Sequence, residues 1–97
     1  MTGWSVLVQA VGPDDAQEVD PNDDRFARFF ELLRPYQGIS GGGMVSWSTL
    51  LTVEASTAEE AAVSGNGIAR EAARRVGLPD WPTLRLEVHE AEPSEAP

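Results

Sequence analysis

The chain has no cysteine, no lysine and only one histidine, and each scarcity removes a class of chemistry. Without cysteine there is no disulfide, no thiolate metal site and no thiol nucleophile. Without lysine there is no P-loop ammonium. One histidine, His89, cannot by itself build a zinc site, which needs several nitrogen or sulfur ligands. Long apolar runs are also missing, and Met1-Thr2-Gly3-Trp4 carries no basic segment, so neither a signal peptide nor a membrane span is expected. We therefore expect a cytoplasmic protein.

Acids outnumber bases by 16 to 7, and the formal charge of -9 repels phosphate backbones and anionic membrane surfaces. Neither nucleic acid nor membrane is an expected partner. The acids cluster. Asp14, Asp15, Glu18, Asp20, Asp23 and Asp24 share one short stretch, and Glu87, Glu90, Glu92 and Glu95 lie near the C-terminus. All basic residues are arginine, which with the alanine and glycine content suggests a GC-rich coding sequence rather than a chemical requirement.

What is present is an ordered succession of hydrophobic rhythms. Trp4, Val6, Val8 and Ala10 alternate with Ser5, Leu7, Gln9 and Val11, the period of a strand with one buried face. Gly12-Pro13-Asp14-Asp15 ends that strand. Asp20 is the expected N-cap of a first helix, with Pro21 at its first position and Asp23 and Asp24 near the positive dipole end. Phe26, Phe29, Phe30 and Leu33 form its apolar stripe, which makes Phe29 and Phe30 the expected core anchors. Pro35 should stop or kink this helix.

Ile39 and Ser40 are expected to form a short edge strand, with Gly41-Gly42-Gly43 turning the chain into the next one; the competing reading is a flexible glycine loop. A second alternating run places Trp47, Thr49, Leu51, Val53 and Ala55 against Ser46, Ser48, Leu50, Thr52 and Glu54. Thr57 with Glu60 is a capping-box signature for a second helix. Its inner stripe is mostly small: Ala58, Ala61, Ala62, Gly65, Ala69, Ala72 and Ala73, joined by Ile68 and Val76. Gly65 and Gly67 are poor helix formers, at about 1 kcal/mol each relative to alanine, and a kink or break is expected at Ser64 to Gly67. Gly77 reads as the helix end. Thr83 to His89 supplies the last strand, and residues 91–97 read as a disordered acidic tail after a single domain spanning 1–90.

Counting the edge strand, the order is βαββαβ, and the expected fold is α+β, a ferredoxin-like two-layer sandwich. Without that strand, the alternative is a three-stranded βαβαβ sheet.

Chemical signals are sparse. Gly41-Gly42-Gly43 leads into a strand rather than a helix N-terminus, which argues against a phosphate cradle. Asp20 to Glu31 places oxygens at several positions of a calcium loop, but Arg25 stands where that loop needs glycine. Arg70, Arg74 and Arg75 suit the negative end of the second helix, and Glu71 precedes Arg75 by four residues. His89, beside Arg85 and Glu87 on one strand face, reads as a half-exposed histidine among charges rather than a general base. The strand tryptophans fall on the faces assigned to the core, so the base-stacking platform of RNA-recognition domains is not expected.

One face remains, the sheet side away from the helices, where Leu7, Val11, Leu50, Thr52 and His89 are the candidate interaction residues. Trp81, between Asp80 and Pro82, is a further candidate, either capping the core or standing exposed as an anchor. No catalytic residue, cofactor or metal is assigned. The expected function is a small acidic, non-catalytic interaction module, a homo-oligomer through this face or a binder of another protein. Two alternatives are retained. One is a cofactor-independent small-molecule-binding protein or enzyme of dimeric α/β-barrel type, with a pocket near Trp4, Trp47, Tyr36 and His89. The other is an acidic inhibitor that occupies a basic partner through its Asp-rich loop.

Overall fold

Two-residue periodicity becomes three long antiparallel strands in the computed structural model, which describes residues 2–20, 22–36 and 38–90. These are β1 (Thr2–Val11), β3 (Ser46–Ala55) and β4 (Thr83–Glu90), with β1 in the middle. Helices α1 (Asp24–Leu33) and α2 (Ala58–Val76) alternate with them, so the long elements run βαβαβ in an α+β fold. The five-residue strand β2 (Ile39–Gly43) pairs antiparallel with β3 at the sheet edge, giving the strand order β2-β3-β1-β4.

Register explains why alternation was informative. Val6 pairs with Leu51 and Val88, and Val8 pairs with Thr49 and Leu86, so one row of side chains points at the helices. Val6, Val8 and Ala10 are fully buried there, joined by Trp47, Leu51 and Phe29. Trp47 and Phe29 meet edge to face, 5.4 Å between ring centroids. On β4 the register shifts between Gln9 and Ala10: Gln9 faces Arg85 but Ala10 faces Thr83, leaving Leu84 as the extra residue of a bulge.

The first helix begins later than its acids suggested. Asp23, not Asp20, is the N-cap, and its carboxylate accepts from the Arg25 N–H at 2.9 Å. Asp20 instead makes a local turn, accepting from the Asn22 N–H at 2.8 Å. The expected place of Pro21 lies outside the described residues. Phe29 and Leu33 are fully buried, whereas Phe30 is 39% exposed and sits under the Arg34 guanidinium, 5.8 Å away. The stripe that faces the sheet is therefore 26, 29 and 33, and Phe30 falls on its margin. After Leu33 the chain tightens into a single 3₁₀ turn, Arg34–Tyr36, consistent with Pro35 ending the α-helix.

The β2–β3 connection also differs from expectation. Gly41, Gly42 and Gly43 lie within β2, opposite Ser48, Trp47 and Ser46, and the turn is Met44–Val45. Tertiary bonds hold that turn: Val19 N–H donates to the Met44 carbonyl and Gly12 N–H to the Val45 carbonyl, both at 2.7 Å. This contact draws the β1–α1 loop inward and buries Val19, which had no periodic signal to mark it.

Helix α2 runs 19 residues without the break expected at Ser64 to Gly67. Packing outweighs propensity here, because Gly65 lets the helix approach β1 closely; a Cβ on it would lie 2.6 Å from Val6 Cγ1. Its ends follow the sequence. Glu60 N–H donates to Thr57 Oγ1 at 3.1 Å, while the Glu60 carboxylate accepts from the Ser56 N–H at 3.0 Å. Gly77 takes the left-handed conformation (φ 85), and the bonds from Leu78 N–H to Ala73 O and Gly77 N–H to Arg74 O complete a Schellman motif.

No helix among the described residues is long and apolar enough to cross a membrane. The expected tail, residues 91–97, lies outside the described residues.

Candidate functional site

Both helices cover the same side of the sheet, so the alternate side chains of β1, β3 and β4 face away from them. Leu7 and Leu50 are register partners across β1 and β3. Leu50 is 40% exposed and Leu7 is half-buried. Leu7 also pairs with Glu87 on β4, and Leu50 with Ile39 on β2, so one transverse row crosses the whole sheet. On one side of it lies the row Thr52, Ser5 and His89; on the other lie Ser48, Gln9 and Arg85. Two aliphatic side chains thus stand at the centre of this face, flanked by hydroxyls, with charges at its margins: Arg85, Glu87 and His89 on β4 and the exposed Glu54 near the end of β3.

Those charges satisfy one another. Arg85 Nε donates to the Glu87 carboxylate, and His89 Nε2 lies 3.7 Å from the other Glu87 oxygen. The Arg85 hydrogen bond is the main reason that the Glu87 carboxyl is held below its ordinary range. His89 itself is 74% exposed at its side chain and has Glu87 as its nearby acid. The geometry offers a solvated ion cluster at an edge strand, not an enclosed acid–base pair.

The interaction residues read from the sequence separate into those that share this face and one that does not. Leu7, Leu50, Thr52 and His89 are brought onto adjacent strands at neighbouring register positions. Val11 is half-buried at the end of β1, where its N–H donates to the Pro82 carbonyl at 3.1 Å. Trp81 is a correction: it is buried, 5% exposed, and belongs to the core. It packs over Gly12, where a Cβ would come within 2.7 Å of Trp81 Nε1. A buried indole closing one end of the core is not available as an exposed anchor.

The four residues expected around a pocket do not converge on one. Trp47 is buried, with its indole N–H directed to the Pro79 carbonyl at 3.4 Å. Trp4 donates to the Ala55 carbonyl at 3.0 Å. Tyr36 lines a groove between α1 and α2, on the far side of the sheet from exposed His89. Between α2 and β1 the packing is close, with Gly65 directly against Val6.

Of the acids between positions 14 and 24, Asp20 and Asp23 are engaged in local turns and caps. Asp23 is also paired with Arg25 at 3.0 Å, and that side-chain hydrogen bond lowers its pKa from 3.8 to about 2. Among the described residues no group of three or more His, Cys, Asp or Glu is arranged to hold a metal ion. Arg70 is likewise committed to structure. It donates to the Trp81 carbonyl at 3.0 Å and Thr83 Oγ1 at 2.9 Å, and it pairs with Asp80. Compared with protein-family models, with curated proteins and with solved structures, the chain matches none.

Proposed function

We propose that this chain is a non-catalytic interaction module that self-associates through its sheet face. The observation that carries the reading is the Leu7–Leu50 pair, two aliphatic residues in register at the centre of the side that no helix among the described residues covers. Surrounding hydroxyls and the peripheral ion cluster of β4 match the apolar centre and polar rim of a protein interface. A two-fold contact uses one patch twice, so each Leu50 would meet its mate or the partner's Leu7.

Ferredoxin-like classification is part of the same proposal. It is supported by the strand order β2-β3-β1-β4 and by an element order of βαββαβ once β2 is counted. Cytoplasmic residence fits the cysteine-free composition, and the charge of -9 disfavours nucleic acid as a partner.

Multi-angle light scattering of the wild type and of Leu50→Arg tests the proposal. The wild type is expected to be dimeric at micromolar concentration. Leu50→Arg, which sets like charges against each other without touching the helix-facing core, is expected to give a folded monomer. A wild type that is monomeric at high micromolar concentration, or a dimer unaffected by this substitution, would overturn it.

A further inference from the structure

The helix layer carries a groove that the sheet-face contact does not use. It runs between α1 and α2, has a volume of about 400 Å³, and is walled by Leu32, Tyr36, Val63, Ile68 and Ala72. That volume falls within the range of small-molecule sites. Gly67 also lines the groove, and a Cβ there would project into open space, meeting nothing within 4 Å. Val63 is 75% exposed and Tyr36 38% exposed, so apolar surface here faces water.

Charge distinguishes one end. Arg75 lines the groove and also an adjoining cavity that contains Arg28. The carboxylates that line these two spaces are already engaged, Glu71 by Arg74 and Glu31 by Arg34. Among the described residues Arg75 has no ion-pair partner, in a chain whose net charge is -9. An unpaired guanidinium beside an apolar groove is complementary to an anion that carries a hydrocarbon body.

We propose that this groove binds a small amphiphilic carboxylate, its chain against Leu32, Val63 and Ile68 and its carboxylate on Arg75. The site is independent of the sheet face, which lies on the other side of the molecule.

The test is an NMR titration of the isotope-labelled full chain with octanoate, using 1-octanol and octyltrimethylammonium as neutral and cationic probes of the same length. Octanoate is expected to give saturable amide shifts at Leu32, Val63 and Ile68, with tighter binding than octanol and the ammonium weakest. Arg75→Gln is expected to weaken octanoate about fivefold to tenfold while leaving octanol unchanged. Gly67→Leu points a side chain into open groove on a helix that gains propensity, so it should fold and lose both ligands. Leu50→Arg is expected to retain octanoate affinity, so loss of the sheet-face contact and loss of this site are read separately. Absence of saturable shifts would overturn the proposal, as would equal affinity for octanoate and the ammonium, or undiminished binding by Gly67→Leu. So would shifts at these residues on raising protein concentration alone, which would assign the groove to a second copy.

Discussion

Gly65 of α2 lies directly against Val6 of β1, with the position of a Cβ on Gly65 only 2.6 Å from Val6 Cγ1 and 2.8 Å from Val6 Cβ. Val6 is β-branched and fully buried, so it cannot swing aside as a long flexible side chain would. The stripe of small residues on α2 is therefore a spacing device that sets the distance between the two layers.

Substitutions at the two α2 glycines should consequently act in opposite directions. Gly65→Ala is expected to destabilise by up to about 2 kcal/mol net, because overpacking of ~1–3 kcal/mol outweighs a helix-propensity gain of about 0.5–1 kcal/mol. Gly67→Ala, whose Cβ meets open space, is expected to stabilise by about 0.5–1 kcal/mol. Urea denaturation of both variants checks this; midpoints shifted in the same direction would refute the close approach.

The adjacent phenylalanines of α1 should differ sharply. Phe29 is fully buried against Trp47, and Phe29→Ala is expected to cost about 3–5 kcal/mol, enough to unfold a marginal domain. Phe30 is partly exposed beneath Arg34, and Phe30→Ala should cost about 1 kcal/mol or less. Circular dichroism melts distinguish them, and equal losses would place both rings in the core.

At the start of α2, Thr57→Ala removes the acceptor of the Glu60 N–H and should cost about 1 kcal/mol. Glu60→Ala frees the Ser56 N–H at an exposed site and should cost less. A denaturation midpoint unchanged by Thr57→Ala would show that the helix does not depend on this cap.

Asp23 should contribute to acid sensitivity. Its pKa falls from 3.8 to about 2 on folding, chiefly through the Arg25 hydrogen bond. A depressed carboxyl stabilises the folded state above its unfolded value, and that stabilisation is lost as pH falls through the folded value. The contribution is therefore complete above about pH 4 and disappears toward about pH 2. Asp23→Asn keeps an N-cap acceptor but cannot titrate, so its stability should fall less steeply over this window. Parallel acid titrations followed by circular dichroism would contradict the assignment if the two curves had the same slope.

Local chemistry was enough to locate the long strands, the cap of α2, its glycine end and the Leu7–Leu50 face. Alternation depends only on the direction of successive Cβ atoms, and a Thr57–Glu60 box or a left-handed Gly77 is satisfied within a few residues. Other features depend on partners distant in the chain. Asp20 and Asp23 are equally plausible caps by composition, and Asp23 serves because Arg25 links it to the far end of α2, donating to the Gly77 carbonyl at 2.9 Å. The glycines of β2 look like a turn until bonds from Gly12 and Val19 secure Met44–Val45 instead. Trp81 carries no periodic signal, and only the close approach of Gly12 shows that its ring closes the core. The groove above Gly67 was hidden for the same reason, since it exists only where α1 and α2 lie side by side. Side-chain periodicity decides which face of each element is apolar; the distances between elements, set by small residues and long-range hydrogen bonds, decide which apolar residues remain uncovered.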